Sequence, residues 1–277
     1  MRRLNGATRG RLDAIARETA PKARDVIAIR HLSKTYGRAD GVVALSDIDC
    51  TVADGEFLSI VGPSGCGKST LLKILAGLLS RTSGEALLNG TPIDGPRKDI
   101  GVVFQSPVLF PWRTVLGNVL LPVDVQQLGR EKMQQRALDL LNLVGLKEFE
   151  HRYPWELSGG MQQRVALVRA LIHDPALLLM DEPFGALDAL TRETMNVELQ
   201  RIWMERRKTV LFVTHSTTEA VFLADRVLVM TARPGRIGDM LEVMLPRPRS
   251  LDVMSTEAFG AHTRRIRAVL SGGGGIE

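Results

Sequence analysis

The run Gly62-Pro63-Ser64-Gly65-Cys66-Gly67-Lys68-Ser69 has the residue types and spacing of a phosphate-binding loop. Glycines at this spacing let successive backbone N–H groups close around phosphate oxygens, and the N-terminus of a following helix adds positive potential. Lys68 has the reach to meet β and γ phosphates, and Ser69 offers a hydroxyl to magnesium. Asp181 and Glu182 form a second unit. Adjacent carboxylates at the end of an apolar run are costly unless used; here one suits a magnesium ion and the other the water that attacks a γ-phosphate. Gln105 and His215 each close a further apolar run, the first suited to a place near metal and attacking water, the second to a hydrogen bond with the γ-phosphate. Leu157-Ser158-Gly159-Gly160-Met161-Gln162-Gln163 precedes a helical pattern through Val165, Val168 and Leu171, which makes a second phosphate cradle at a helix N-terminus. The ligand expected from these groups is a nucleoside triphosphate with magnesium.

Such groups work only if strands and helices bring them together. Residues 57–61, 100–104, 176–180 and 209–214 are solid apolar runs, the pattern of parallel strands buried on both faces. Residues 131–144 and 189–205 carry apolar positions at helical spacing, and Gly145 stops the first. Alternating strands and helices make an α/β core. In a parallel sheet the C-terminal strand ends converge, so the loop at 62–69, Gln105, Asp181 with Glu182, and His215 are expected around one site. Shorter alternating runs at 26–32 and 48–52, with a turn at 53–56, predict an antiparallel β region before the core. Between residue 106 and about 160 the pattern is helical without a convincing strand, so this stretch is expected as an inserted helical subdomain. Residues 1–25 show no sustained hydrophobic period and are expected as an N-terminal extension. After residue 240 a helix near 256–270 and a glycine-rich 272–275 tail make up a C-terminal extension, 241–277.

The 277 residues, 44% of them hydrophobic, suffice for a substantial core. The net charge of +5 is concentrated near the two ends, without the interleaved aromatics that a nucleic-acid stacking surface needs, so solvated tails are expected and no nucleic acid. No run of eighteen apolar residues occurs and the N-terminus lacks a secretory pattern, which predicts a cytosolic chain. Two cysteines are too few for a disulfide framework or a zinc site. Cys66 has two readings: a thiol activated by the helix N-terminus, or a tolerated variable position of the loop.

Together these pieces resemble the ABC ATPase cassette over residues 26–240, with the phosphate loop, Gln105, Leu157 to Gln163, Met180-Asp181-Glu182, Asp188 and His215 in its order. The resemblance implies a P-loop NTPase core with a mostly parallel sheet, an N-terminal antiparallel β subdomain and an inserted helical subdomain. It implies ATP and Mg2+ as cofactors, with Gly62 through Ser69 and Thr70 binding nucleotide, and Ser69, Gln105 and Asp181 about the metal. Lys68, Gln105, Glu182 and His215 are then the catalytic set. It further implies a homodimer or paired cassette in which Ser158, Gly159, Gly160 and Gln162 of one chain face the nucleotide held by the other. Tyr36 falls where the family stacks an aromatic ring on adenine, and it equally suits a packed strand end. Asp188 corresponds to a loop linking the two sites and also makes a good N-cap.

Finer resemblance points to bacterial importers of the nitrate, sulfonate and taurine group. It rests on Phe104-Gln105-Ser106-Pro107-Val108-Leu109-Phe110-Pro111-Trp112-Arg113, on residues 184–192 and on Arg233-Pro234-Gly235-Arg236-Ile237. Ser216 departs from that group, which commonly carries an acidic residue there, and Val168 replaces a usual alanine. The implied partners are integral membrane permease subunits and, indirectly, a periplasmic or extracellular solute-binding protein; the implied location is the cytoplasmic face of the inner membrane, peripherally bound. The alternative is a soluble ABC ATPase acting on nucleic acid or ribosomes. Such relatives usually carry long coiled coils or a second cassette, and neither pattern occurs in this sequence.

Overall fold

The computed structural model describes residues 25–37 and 41–272. Two long strands, β1 (Asp25–Tyr36) and β2 (Val42–Ala53), open the chain, and a turn at Asp54-Gly55 leads into β3 (Phe57–Val61). Helix α1 (Lys68–Leu75) follows, then β4 (Ser83–Leu88), β5 (Thr91–Pro92) and β6 (Ile100–Val103). The next stretch holds α2 (Val115–Val119), α3 (Leu121–Gln126), α4 (Arg130–Leu143), a 3-10 turn at Pro154–Glu156 and α5 (Gly159–Leu171). The chain returns through β7 (Leu177–Asp181), α6 (Ala189–Arg206), β8 (Thr209–Val213), α7 (Thr217–Leu223), β9 (Arg226–Met230) and β10 (Ile237–Glu242). It ends, among the described residues, with a 3-10 turn at Leu251–Ser255 and α8 (Glu257–Gly272).

Six strands form the central sheet in the order β10-β9-β3-β8-β7-β6, parallel except where β10 runs against β9. Every residue of β3 and β8 is buried, which is why these runs are apolar throughout rather than alternating. Successive side chains still part company: Phe57 and Val61 enter one core, Leu58 and Ile60 the other. The second sheet, β2-β1-β4-β5, is antiparallel and covers α1 through Leu45, Ile48, Val52, Leu71 and Leu75. No strand lies between β6 and β7 among the described residues, so the helical reading of that stretch agrees with the structure. No helix among them is long and apolar enough to cross a membrane.

Two expectations need adjusting. β4, β5 and β9 had no counterpart in the sequence reading. A break after residue 240 falls inside β10, and the chain beyond it is built into the core: Val243 N–H donates to Asp225 O at 2.8 Å, and Phe259 and Ile266 of α8 are buried in the larger cluster. The expected N-terminal extension lies outside the described residues apart from Asp25, which begins β1, and the glycine tail lies outside them from residue 273.

Candidate functional site

The loop from Gly62 to Gly67 spans the gap between the end of β3 and the start of α1, so the strand fixes one end of the cradle and the helix the other. Gly67 sits at φ 98° as the N-cap of α1, and a Cβ there would lie 2.6 Å from Leu45 Cδ2; both the backbone angle and the close approach of β2 require glycine. Lys68 is buried and folds back over the loop, its Nζ donating to Gly62 O at 2.8 Å and Pro63 O at 3.2 Å. Ser69 Oγ donates to Asp181 Oδ1 at 3.1 Å across the sheet end. A cleft of about 630 Å3 opens over the loop, lined by Tyr36, Ser64, Gly65, Lys68, Ser69 and Thr70 and closed on one side by Glu182.

The strand order explains the meeting of residues distant in sequence. β3, β8, β7 and β6 are consecutive neighbours, and their C-terminal ends carry the phosphate loop, His215, Asp181 with Glu182, and Gln105 in turn. Asp181 ends β7; burial pushes its carboxyl above the usual range, the Ser69 bond opposes this and the neighbouring Glu182 charge adds to it. Glu182 stands at φ 45°, a left-handed conformation unusual for this residue type, held by its N–H donating to Val213 O at 2.9 Å. His215 Nδ1 lies 3.2 Å from Glu182 Oε2. Gln105 is exposed two residues past β6, with Nε2 3.6 Å from the Cβ position on Gly185, and it does not line the cleft.

Ser158 is the N-cap of α5, accepting from Met161 N at 3.3 Å, and lies outside the cleft of its own chain. The Gln162 amide nitrogen is engaged with Pro154 O at 2.9 Å and Leu157 O at 3.3 Å, so this side chain holds the loop before the helix instead of extending outward. Tyr36 is 42% exposed at the rim of the cleft, its hydroxyl 3.3 Å from Thr70 Oγ1; the packed-strand-end reading does not describe it. Asp188 caps α6 by accepting from Thr191 N at 3.0 Å, and bonds from the Thr191 hydroxyl and then its N–H hold the carboxyl below the usual range.

Cys66 does not fit the activated-thiol reading. Its side chain is fully buried, and desolvation pushes the thiol up, against an opposing pull from Lys68. Ser216 caps α7 by accepting from Glu219 N at 3.2 Å, and its own N–H donates to Thr214 Oγ1 at 3.0 Å. The hydroxyl of Thr214 bonds buried Glu219, which Arg192 faces at 3.5 Å. Sequence reasoning did not find this network behind His215, nor Arg233, whose side chain lines the cleft.

A phosphate loop, a carboxylate pair and a histidine set at neighbouring strand ends beside one cleft define a nucleoside-triphosphate-hydrolysing protein of the P-loop class. Residues 45–185 match the family described as ABC transporter, and the chain belongs to that family. It is 46% identical over 225 residues to an aliphatic sulfonates import ATP-binding protein of Bacillus licheniformis, covering 81% of this chain and 87% of that one. It is 44% identical over 213 residues to a taurine import ATP-binding protein of Yersinia pestis, covering 77% and 84%. A dimeric ATP-binding cassette in a post-hydrolysis state with ADP and Pi aligns at a TM-score of 0.67 and 32% identity, over 79% of this chain and 100% of the other. The chain is therefore an ATP-binding ATPase subunit that resembles the sulfonate and taurine importer group.

Proposed function

We propose that this chain is the ATP-hydrolysing subunit of an importer, working as a pair of cassettes that drive a separate integral membrane permease. The solute belongs to the nitrate, sulfonate and taurine group, delivered to the permease by a solute-binding protein outside the membrane. The reading rests on one observation: Lys68, Ser69 and Glu182 line a single cleft, with Asp181 bonded to Ser69 and His215 beside Glu182. In this reading the ATPase unit begins near residue 26 and runs past residue 240 to include β10 and the packed C-terminal segment, and it is held peripherally at the cytoplasmic face of the inner membrane through the inserted helices near 106–160.

Glu182 is the base for the attacking water. His215, which already faces the Glu182 carboxylate, hydrogen-bonds the γ-phosphate. Lys68 exchanges the carbonyls of Gly62 and Pro63 for β and γ phosphate oxygens, and the N–H groups from Ser64 to Thr70 surround the rest. Tyr36 stacks on adenine. The hydroxyl of Ser69 and the carboxylate of Asp181 are hard oxygen donors within bonding distance of each other, a set that fits Mg2+, with Gln105 completing it. Held by these residues, such an ion would supply positive charge to the phosphates. Ser158, Gly159 and Gly160 grip the triphosphate bound by the other chain of the pair, and Gln162 keeps their loop in place.

Reconstitution in proteoliposomes with the permease that co-purifies with the chain tests this reading. ATP-dependent uptake of taurine, an alkanesulfonate or nitrate is expected. Glu182→Gln should keep ATP binding while turnover falls about a hundredfold or more. Near-normal hydrolysis in that variant removes Glu182 from its role, and the failure of all three solutes removes the solute class.

A further inference from the structure

The turn Arg233-Pro234-Gly235-Arg236 between β9 and β10 has no part in the chemistry above, yet it is built against the phosphate loop. Gly235 N–H donates to Ala44 O at 3.0 Å, and Ser46 N–H donates to Gly235 O at 2.9 Å, which seats the turn on β2. Its backbone also presses on the cradle: a Cβ on Gly235 would sit 2.0 Å from Cys66 O, so only glycine allows the approach. From this fixed base Arg233 reaches the face of the loop. Its Nη2 is 3.1 Å from the Cβ position on Gly65, and the side chain lines the same cleft as Lys68, Ser69 and Tyr36.

Arg226 in β9 pairs with Glu56 at 3.1 Å, and Arg247 pairs with Asp225 at 2.9 Å, whereas Arg236 of the same turn, like Arg233, has no carboxylate partner among the described residues but does not line the cleft. A planar guanidinium suits two phosphate oxygens at once, and an anion carrying several charges is the ligand of this cleft. We propose that Arg233 is a second cationic contact to the triphosphate of bound ATP, approaching from the Gly65 side of the cradle while Lys68 approaches from within it. Bound nucleotide then joins three segments distant in sequence: β2, the phosphate loop and the turn after β9.

The test is a series of dissociation constants for ATP and for adenosine, measured with the wild-type chain, Arg233→Ala and Arg233→Lys. Arg233→Ala is expected to bind ATP about fivefold more weakly at low salt, with the deficit shrinking as salt rises. Arg233→Lys, which keeps the charge but not the planar fork, should recover only part of that loss, and adenosine, which lacks phosphate, should bind all three alike. Wild-type affinity for ATP from Arg233→Ala would overturn the proposal. So would an equal loss for adenosine, because it would show that the turn had shifted rather than that a phosphate contact had gone. Wild-type binding is measured in the same series, which separates a deficit at Arg233 from any failure of the wider reading of the site.

Discussion

Cys66 shows how placement decides the chemistry of a side chain whose neighbours in sequence suggest something else. The N-terminus of α1 and the ammonium of Lys68 both favour a thiolate, but complete burial outweighs them and raises the thiol above its ordinary value. Cys50 is also buried, and its thiol is pushed up to about 12. Both thiols therefore stay protonated through neutral pH, and since each folded value exceeds the unfolded one, stability is intact below the ordinary thiol range and declines above it. At pH 7.5 an alkylating reagent should leave the native chain unmodified and label both cysteines once the chain is unfolded; rapid native labelling of Cys66 would contradict its burial. The phosphate loop and the Asp181-Glu182 pair were legible in sequence because their chemistry needs residues adjacent along the chain. Arg233 was not, because its place in the cleft is made by contacts with β2 and Cys66 that no spacing announces.

Helix α7 begins one residue after Ser216 and two after His215, and it is held at both ends. Ser216 caps its N-terminus. At the other end buried Arg249 donates from Nη1 to Val221 O at 2.8 Å, Phe222 O at 2.9 Å and Ala224 O at 2.8 Å, carbonyls that a helix end leaves unsatisfied. Its Nη2 reaches Val243 O and Leu245 O, both at 3.2 Å, and its backbone exchanges two bonds of 2.8 Å with the Gln200 side chain. Arg249→Met keeps much of the volume but strands these carbonyls; it should lower unfolding stability by about 3 kcal/mol, read as a fall in the urea midpoint. The buried strands β3 and β8 were legible to within a residue because two-faced burial leaves an uninterrupted apolar run. β4 was not: Ser83, Gly84 and Glu85 are exposed, and its pairing to β1 depends on backbone bonds that side-chain pattern does not encode. The C-terminal segment looked like an appendage because its anchor, a buried arginine, has the composition of a surface residue.

At the scale of the whole molecule, the two phosphate cradles do not meet. The one at Gly62 to Ser69 lines the cleft, while Ser158 caps a helix outside it. The two motifs stand out in sequence, but spacing alone does not place them apart within one chain; that separation entered only through the family resemblance, and here it follows from where the inserted helices carry α5. In the proposed pairing, a second chain supplies Ser158 to each cleft across ATP. In a Glu182→Gln background, ATP should produce a dimer by size-exclusion chromatography, and adding Ser158→Arg should leave monomers that still bind nucleotide. A dimer that persists with arginine at that position would reject the shared grip. In the proposed pairing each chain lends half of one catalytic centre and half of another, so a defective copy does not fail alone. Mixed with sound chains in one cell, it would spoil every assembly it enters, and the shortfall in uptake would exceed its share of the population.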